Sequence, residues 1–262
     1  MIKYLTSDFK NYEKINGKKF AKQIDNTNGF VDSLKENLKR KNKVVFVVSD
    51  GHQEHEKNMI YANIFFDSLK LVGIEFDNYY VLEDSTRDKA SEYIDGADLV
   101  FLCGGRTFYQ MKFFEEINLK NLLELYDGIV IGQSAGAINM AELVYNSPEN
   151  IENPDPIIYE GLGLTKINIE PHFQYDSSNF DEADKYQRNN MIEESMKRNI
   201  IGQCNGSHIM IDSNNDATAY GQTYIIENGK IRLICKDREK VSLNLNSLKQ
   251  NKRKWLLHEY RN

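Results

Sequence analysis

The chain has 262 residues and a formal net charge of −6, a balance that excludes a general nucleic-acid binder. Its 40% hydrophobic content is enough for a sizeable core, and with neither repeat nor linker residues 1–262 read as a single domain. No apolar run is long enough for a membrane helix and no signal-peptide pattern opens the chain, so a cytoplasmic protein without membrane contact is expected.

Taken in order, residues 1–6 (MIKYLT) read as a first strand, while residues 7–28 are polar and mixed and assign to nothing. Phe30, Leu34 and Leu38 recur at helical spacing, which predicts a helix over 30–41. The β-branched run 44–48 (VVFVV) predicts a strand buried on both faces. A helix over 59–72, a short strand over 79–82, a helix over 88–94 and a second buried strand over 99–103 (LVFLC) follow. That strand runs into Gly104-Gly105-Arg106-Thr107, where Thr107 is placed to cap a helix reaching about residue 117. A short helix over 119–126 precedes an apolar strand at 129–131.

Beyond a Pro-rich stretch at 143–165, read as a surface loop, comes a strand over 166–170 (KINIE). Pro171 stops it, because proline cannot donate to a central ladder. A helix over 182–198 and a strand over 200–203 follow, then antiparallel strands over 208–211, 217–226 and 231–236. Asn228-Gly229 marks a type I′ hairpin turn. The basic tail from Lys249, around Trp255, reads as a docked terminal helix. The alternation of strand and helix implies a mostly parallel central sheet with helices on both faces, in a three-layer α/β/α sandwich with antiparallel strands near the C-terminus. In such sheets ligands sit beyond the carboxyl ends of the strands.

That rim carries the chemistry. Gly132-Gln133-Ser134-Ala135-Gly136 is a G-x-S-x-G nucleophile elbow between the strand at 129–131 and a helical pattern. A serine hydroxyl needs a base within hydrogen-bond reach, and that base needs an orienting acceptor. His172 is the histidine expected on the same rim. The backbone N–H groups of Ala135 and Gly105 are expected to form the oxyanion hole. Three cysteines without C-x-x-C spacing read as reduced thiols, and five scattered histidines suggest no metal site; His52 and His55 read as solvated. No cofactor or metal is expected.

Cys103-Gly104-Gly105-Arg106-Thr107 resembles the G-G-N-T segment of the peptidase E (α-aspartyl dipeptidase) family. Gln133-Ser134-Ala135-Gly136-Ala137 resembles that family's S-A-G-A nucleophile turn. The segment Gly161-Leu162-Gly163-Leu164 followed by Ile169-Glu170-Pro171-His172-Phe173 resembles its G-L-x-L…I-N-P-H-F, and Ile201–Gly206 is similar to its I-G-L-P-E-G. The four matches are collinear over roughly residues 98–210. The resemblance implies a class I glutamine-amidotransferase-like fold and a serine peptidase or amidohydrolase with a nucleophile–histidine–acid order. The implied substrate is a small peptide or acyl compound, aspartyl dipeptides first and cyanophycin-type aspartyl-arginine peptides second; a homodimer stays open.

Asn205 stands where that family carries the triad acid. Three outcomes are open: a slow enzyme, a substitute acid (Glu170, Asp155 or Asp176), or a homologue that binds a small molecule or partner without turnover. Lys185 and Arg188, at i, i+3 on one helix face, lie near family arginines placed to meet an acidic substrate side chain, though a solvated face would show the same pattern. Arg106 adds a cation at the rim. A glutamine amidotransferase is disfavoured because that chemistry uses cysteine at the elbow.

Overall fold

Buried β-branched runs pair with one another, and the amphipathic segments between them cover the faces they leave. The computed structural model describes residues 1–53, 55–148 and 157–248. The chain begins with β1 (Ile2–Thr6), the pair β2 (Tyr12–Ile15) and β3 (Lys18–Ala21), and α1 (Phe30–Asn37). Then come β4 (Lys43–Val47), α2 (His55–Leu71), β5 (Asn78–Leu82), a 3-10 segment over Asp84–Lys89, and α3 (Ala90–Ile94). They are followed by β6 (Leu99–Leu102), α4 (Thr107–Glu116), α5 (Leu119–Glu124), β7 (Ile129–Gln133) and the single turn α6 (Ala135–Ile138). The C-terminal half holds β8 (Leu143–Tyr145), β9 (Ile158–Glu160), β10 (Asn168–Glu170), α7 (Glu182–Glu194) and β11 (Ile200–Gln203). Last are β12 (His208–Ile211), β13 (Ala217–Tyr220), β14 (Thr223–Glu227), β15 (Lys230–Cys235) and β16 (Lys240–Leu243).

The central sheet has eight strands in the order β16-β13-β12-β1-β7-β6-β4-β5. From β1 to β5 every neighbouring pair is parallel, and the three strands beyond β1 are antiparallel. The sheet is thus mostly parallel and is flanked by helices, as the alternation implied. Its core includes Tyr4, Phe46, Phe101, Leu99 and Val130, all almost wholly buried.

Several sequence expectations are corrected. The strand before His172 does not extend the central sheet. It is β10, and it pairs parallel with β11 in a separate four-stranded sheet, β10-β11-β14-β15. The apolar alternation of a three-residue strand says that it pairs, not with whom. The segment expected as one strand over 217–226 breaks at Gly221, whose φ of 78° turns the chain from one sheet into the other. Residues 7–28 contain a hairpin, β2–β3, turned by Asn16 and Gly17 at φ 50° and 78°. The loop expected over 143–165 contains the pair β8–β9, with Val144 and Tyr145 buried. Thr107 is the first residue of α4 and caps nothing. Asp155, Pro154, Pro156 and the tail around Trp255 lie outside the described residues.

The second sheet and α7 enclose their own apolar cluster of Tyr145, Phe173, Met191, Ile200, Tyr224 and Ile226. The two sheets are tied by the buried Gln203, whose Nε2 donates to the Leu5 carbonyl at 3.2 Å. The carboxyl ends of β10 and β11 are thereby brought to the carboxyl ends of β1 and β7.

Candidate active site

The register of three parallel strands sets the elbow. Leu5, Gly132 and Leu102 lie side by side at the ends of β1, β7 and β6. One residue past β7, Ser134 donates its N–H to the Thr6 carbonyl at 2.9 Å. Its backbone then takes φ 50° and ψ −113°, a conformation that costs a non-glycine residue about 1–3 kcal/mol. Crowding holds it there. A Cβ at Gly132 would lie 2.6 Å from the Ala137 nitrogen, and one at Gly136 would strike the Leu102 carbonyl oxygen. Only glycine lets α6 come down onto β7 this closely. The result is a strained serine with its hydroxyl held above the sheet edge.

His172, two residues past β10, also has a positive φ, 56°. Its backbone N–H donates to Ser7 Oγ at 2.7 Å, which locks the turn to the residue following β1. Its Nε2 is 3.0 Å from Ser134 Oγ, and its Nδ1 is 2.7 Å from Asn205 Oδ1, two residues past β11. Ser7 Oγ donates to that same Oδ1 at 2.9 Å. Ser7 has one hydroxyl proton, and this is where it goes. Turning the amide over would set its NH₂ against Ser7 and strip that proton of its acceptor. With Oδ1 facing the ring, His172 carries its proton on Nδ1 and turns the Nε2 lone pair to Ser134. Ser7 falls among residues 7–28, which the sequence assigns to nothing; the signal that marks it is its place directly after the first strand of a parallel sheet.

The remaining expected residues divide. Gly105 has φ 152° and faces Ser49 where a Cβ would go; the neighbouring Gly104 lies against Ser134. Among the described residues neither the Gly105 nor the Ala135 N–H meets a protein acceptor. Of the substitute acids, Glu170 and Asp176 lie among the described residues, and neither reaches His172. Buried Glu170 accepts from Ser147 Oγ at 2.6 Å and from Gln187 Nε2 at 3.0 Å. Asp176 is exposed and accepts the Ser178 N–H, which holds its carboxyl below the usual range.

A cavity of about 410 Å³ opens beside Ser134 and His172, walled by Glu170, Phe173, Phe180, Gln187 and Arg188. Arg188 is braced at its rim. It donates to the Tyr175 carbonyl at 2.9 Å, and its guanidinium lies over the rings of Tyr175 and Phe180. The other two expected cations are elsewhere. Lys185 points to solvent and pairs with Glu182 at 2.7 Å, and Arg106 stacks on the Tyr109 ring at 3.5 Å. Neither borders the cavity, because each finds a partner three residues away in its own chain segment. Burial pushes the Cys103 thiol up to about 12 and the Cys204 thiol up to about 11, so neither supplies a thiolate near the rim at neutral pH.

The comparisons agree with this architecture. A chain described as a peptidase from an acI-B1 Actinobacterium superposes with a TM-score of 0.64 at 14% identity, covering 92% of this chain and 96% of that one. A putative peptidase E protein from Listeria monocytogenes EGD-e does so with a TM-score of 0.52 at 18% identity, covering 81% of this chain and 94% of that one. No curated protein sequence matches significantly. A family model for peptidase family S51 matches residues 19–218, most of the chain. The chain therefore belongs to peptidase family S51, the peptidase E family.

Proposed function

We propose that the protein is a serine peptidase that cleaves short peptides through an acyl-enzyme. The observation that carries this reading is the unbroken hydrogen-bond chain from Ser134 through His172 to Asn205. Ser134 Oγ attacks the scissile carbonyl carbon while His172 Nε2 takes its proton. The oxyanion faces the N–H groups of Gly105 and Ala135. On collapse the C–N bond breaks, the amine departs with the proton from Nε2, and water repeats the cycle on the ester. Arg188 favours an acyl residue with a carboxylate, so aspartyl dipeptides are the leading substrate class.

Asn205 lowers the rate without abolishing it. In a serine protease of another fold, replacing the triad acid by the amide costs about 10⁴ in turnover, largely through the wrong histidine tautomer. Here Ser7 holds the useful tautomer, so the remaining deficit is the missing charge opposite the imidazolium. Labelling with a fluorophosphonate tests the reading: the wild type is expected to label slowly, and Ser134→Ala and His172→Ala not at all. Asn205→Asp restores the charge and is expected to raise kcat on an aspartyl dipeptide by about 10²-fold or more. Labelling by Asn205→Asp but never by the folded wild type between pH 6 and 9 would instead favour a binding protein that has lost turnover.

A further inference from the structure

A second cavity, of about 210 Å³, meets the first at Gly105, Ser134 and His172, on the other side of the nucleophile. Its wall includes Tyr12 and Lys19 of the β2–β3 hairpin, Tyr61 of α2, and Asp8. The hairpin belongs to neither large sheet, and β2 precedes the family match, which begins at residue 19. Lys19 Nζ lies 4.6 Å from the Tyr12 ring centroid and 4.2 Å from that of Tyr61, and it donates to the Tyr61 hydroxyl at 3.1 Å. Two aromatic faces from two elements thus fix an ammonium that keeps two N–H donors. Among the described residues no carboxylate pairs with it. Asp8 of the same wall accepts from the Lys10 backbone N–H at 3.0 Å and from Gln133 Nε2 at 3.5 Å instead.

We propose that Lys19 binds the free α-carboxylate of the leaving amino acid, so that the hairpin makes this a site for peptides ending one residue past the cut. The inference rests on the serine-peptidase reading above, with the Arg188 cavity on the acyl side. One cation on each side of Ser134 matches a substrate with an acidic acyl residue and a charged C-terminus. When the C–N bond breaks, the amine leaves with the His172 proton into the cavity that Lys19 shares with Ser134 and His172.

Two matched substrates test this, aspartyl-leucine and its C-terminal amide. The wild type is expected to favour the free acid about tenfold in kcat/KM through KM, the size of one partly solvated charge-assisted hydrogen bond. Lys19→Met should bring that ratio to near one, and Lys19→Arg should keep it. The same ratio is expected in Kd when each peptide is titrated calorimetrically into Ser134→Ala protein, and its loss in Ser134→Ala/Lys19→Met. Equal handling of acid and amide by the wild type, a ratio indifferent to Lys19→Met, or no binding of the free acid to Ser134→Ala overturns the role of Lys19. Absent fluorophosphonate labelling with the binding ratio intact overturns the serine-peptidase reading instead.

Discussion

At Asn205 an amide and a carboxylate differ in charge and not in reach. The Oδ1 atom stands 2.7 Å from His172 Nδ1, as close as a charged partner would need to be. Charge decides the energetics at a second histidine. His208 is buried, stacked on Tyr220 with ring centroids 4.6 Å apart, and neither ring nitrogen has a partner among the described residues. Burial pushes it down from 6.5 to about 3. The unfolded chain therefore takes up the proton first as pH falls. Stability from this group is fully present above pH 6.5 and is lost as pH drops from there toward 3. By pH 5 the loss is expected to reach about 2 kcal/mol. Urea unfolding at pH 7.5 and pH 5 should show this difference in the wild type and a smaller one in His208→Phe. Equal slopes in the two proteins would contradict it. From the sequence, His208 was one of five scattered histidines; its burial follows from pairing with β1, opposite Thr6, which its local pattern does not encode.

Among the elements, the elbow and the two Asn-Gly hairpins show which local signals carry through. The elbow was legible because its glycines have a steric duty that small size alone meets. Gly132→Ala would push a methyl into the α6 backbone at 2.6 Å, so it is expected to cost about 1–3 kcal/mol and to abolish fluorophosphonate labelling. A variant with unchanged melting temperature and labelling would show that α6 is free to shift. Asn228-Gly229 turns β14 into β15, as the dipeptide predicts. Asn16-Gly17 is the same signal with the same geometry, yet residues 7–28 assigned to nothing. Its flanks, YEKI and KKFA, carry lysines and a glutamate, and a polar hairpin has no buried face to make alternation visible. That hairpin holds Lys19, so what the sequence obscured was one whole side of the candidate site.

Across the whole molecule, the site exists because two sheets meet. Ser134 and Ser7 directly follow strands of the eight-stranded sheet, while His172 and Asn205 each lie two residues past a strand of the parallel pair in the four-stranded one. Phe173 braces that second pair. It is buried, it packs on Gly202 of β11, and its N–H donates to the Gln203 carbonyl at 2.9 Å. Phe173→Ala is expected to destabilise the protein by about 3–5 kcal/mol, and to lower kcat beyond that, because His172 is the preceding residue. Denaturant unfolding together with turnover of the folded fraction measures both; a full-rate enzyme with lowered stability would separate the brace from the site. By itself the sequence determined the mostly parallel α/β sheet, the elbow at Ser134, and the likeness to peptidase E that the family match bears out. These follow from local patterns: buried β-branched runs, small residues at a tight turn, and collinear motifs. The tertiary structure alone decided that His172 arrives from a second sheet, that Ser7 orients Asn205, and that Arg188 rather than Lys185 or Arg106 borders the cavity. Those outcomes depend on which strand edges pair and which side chains find nearer partners, and both are set by contacts between residues far apart in the chain.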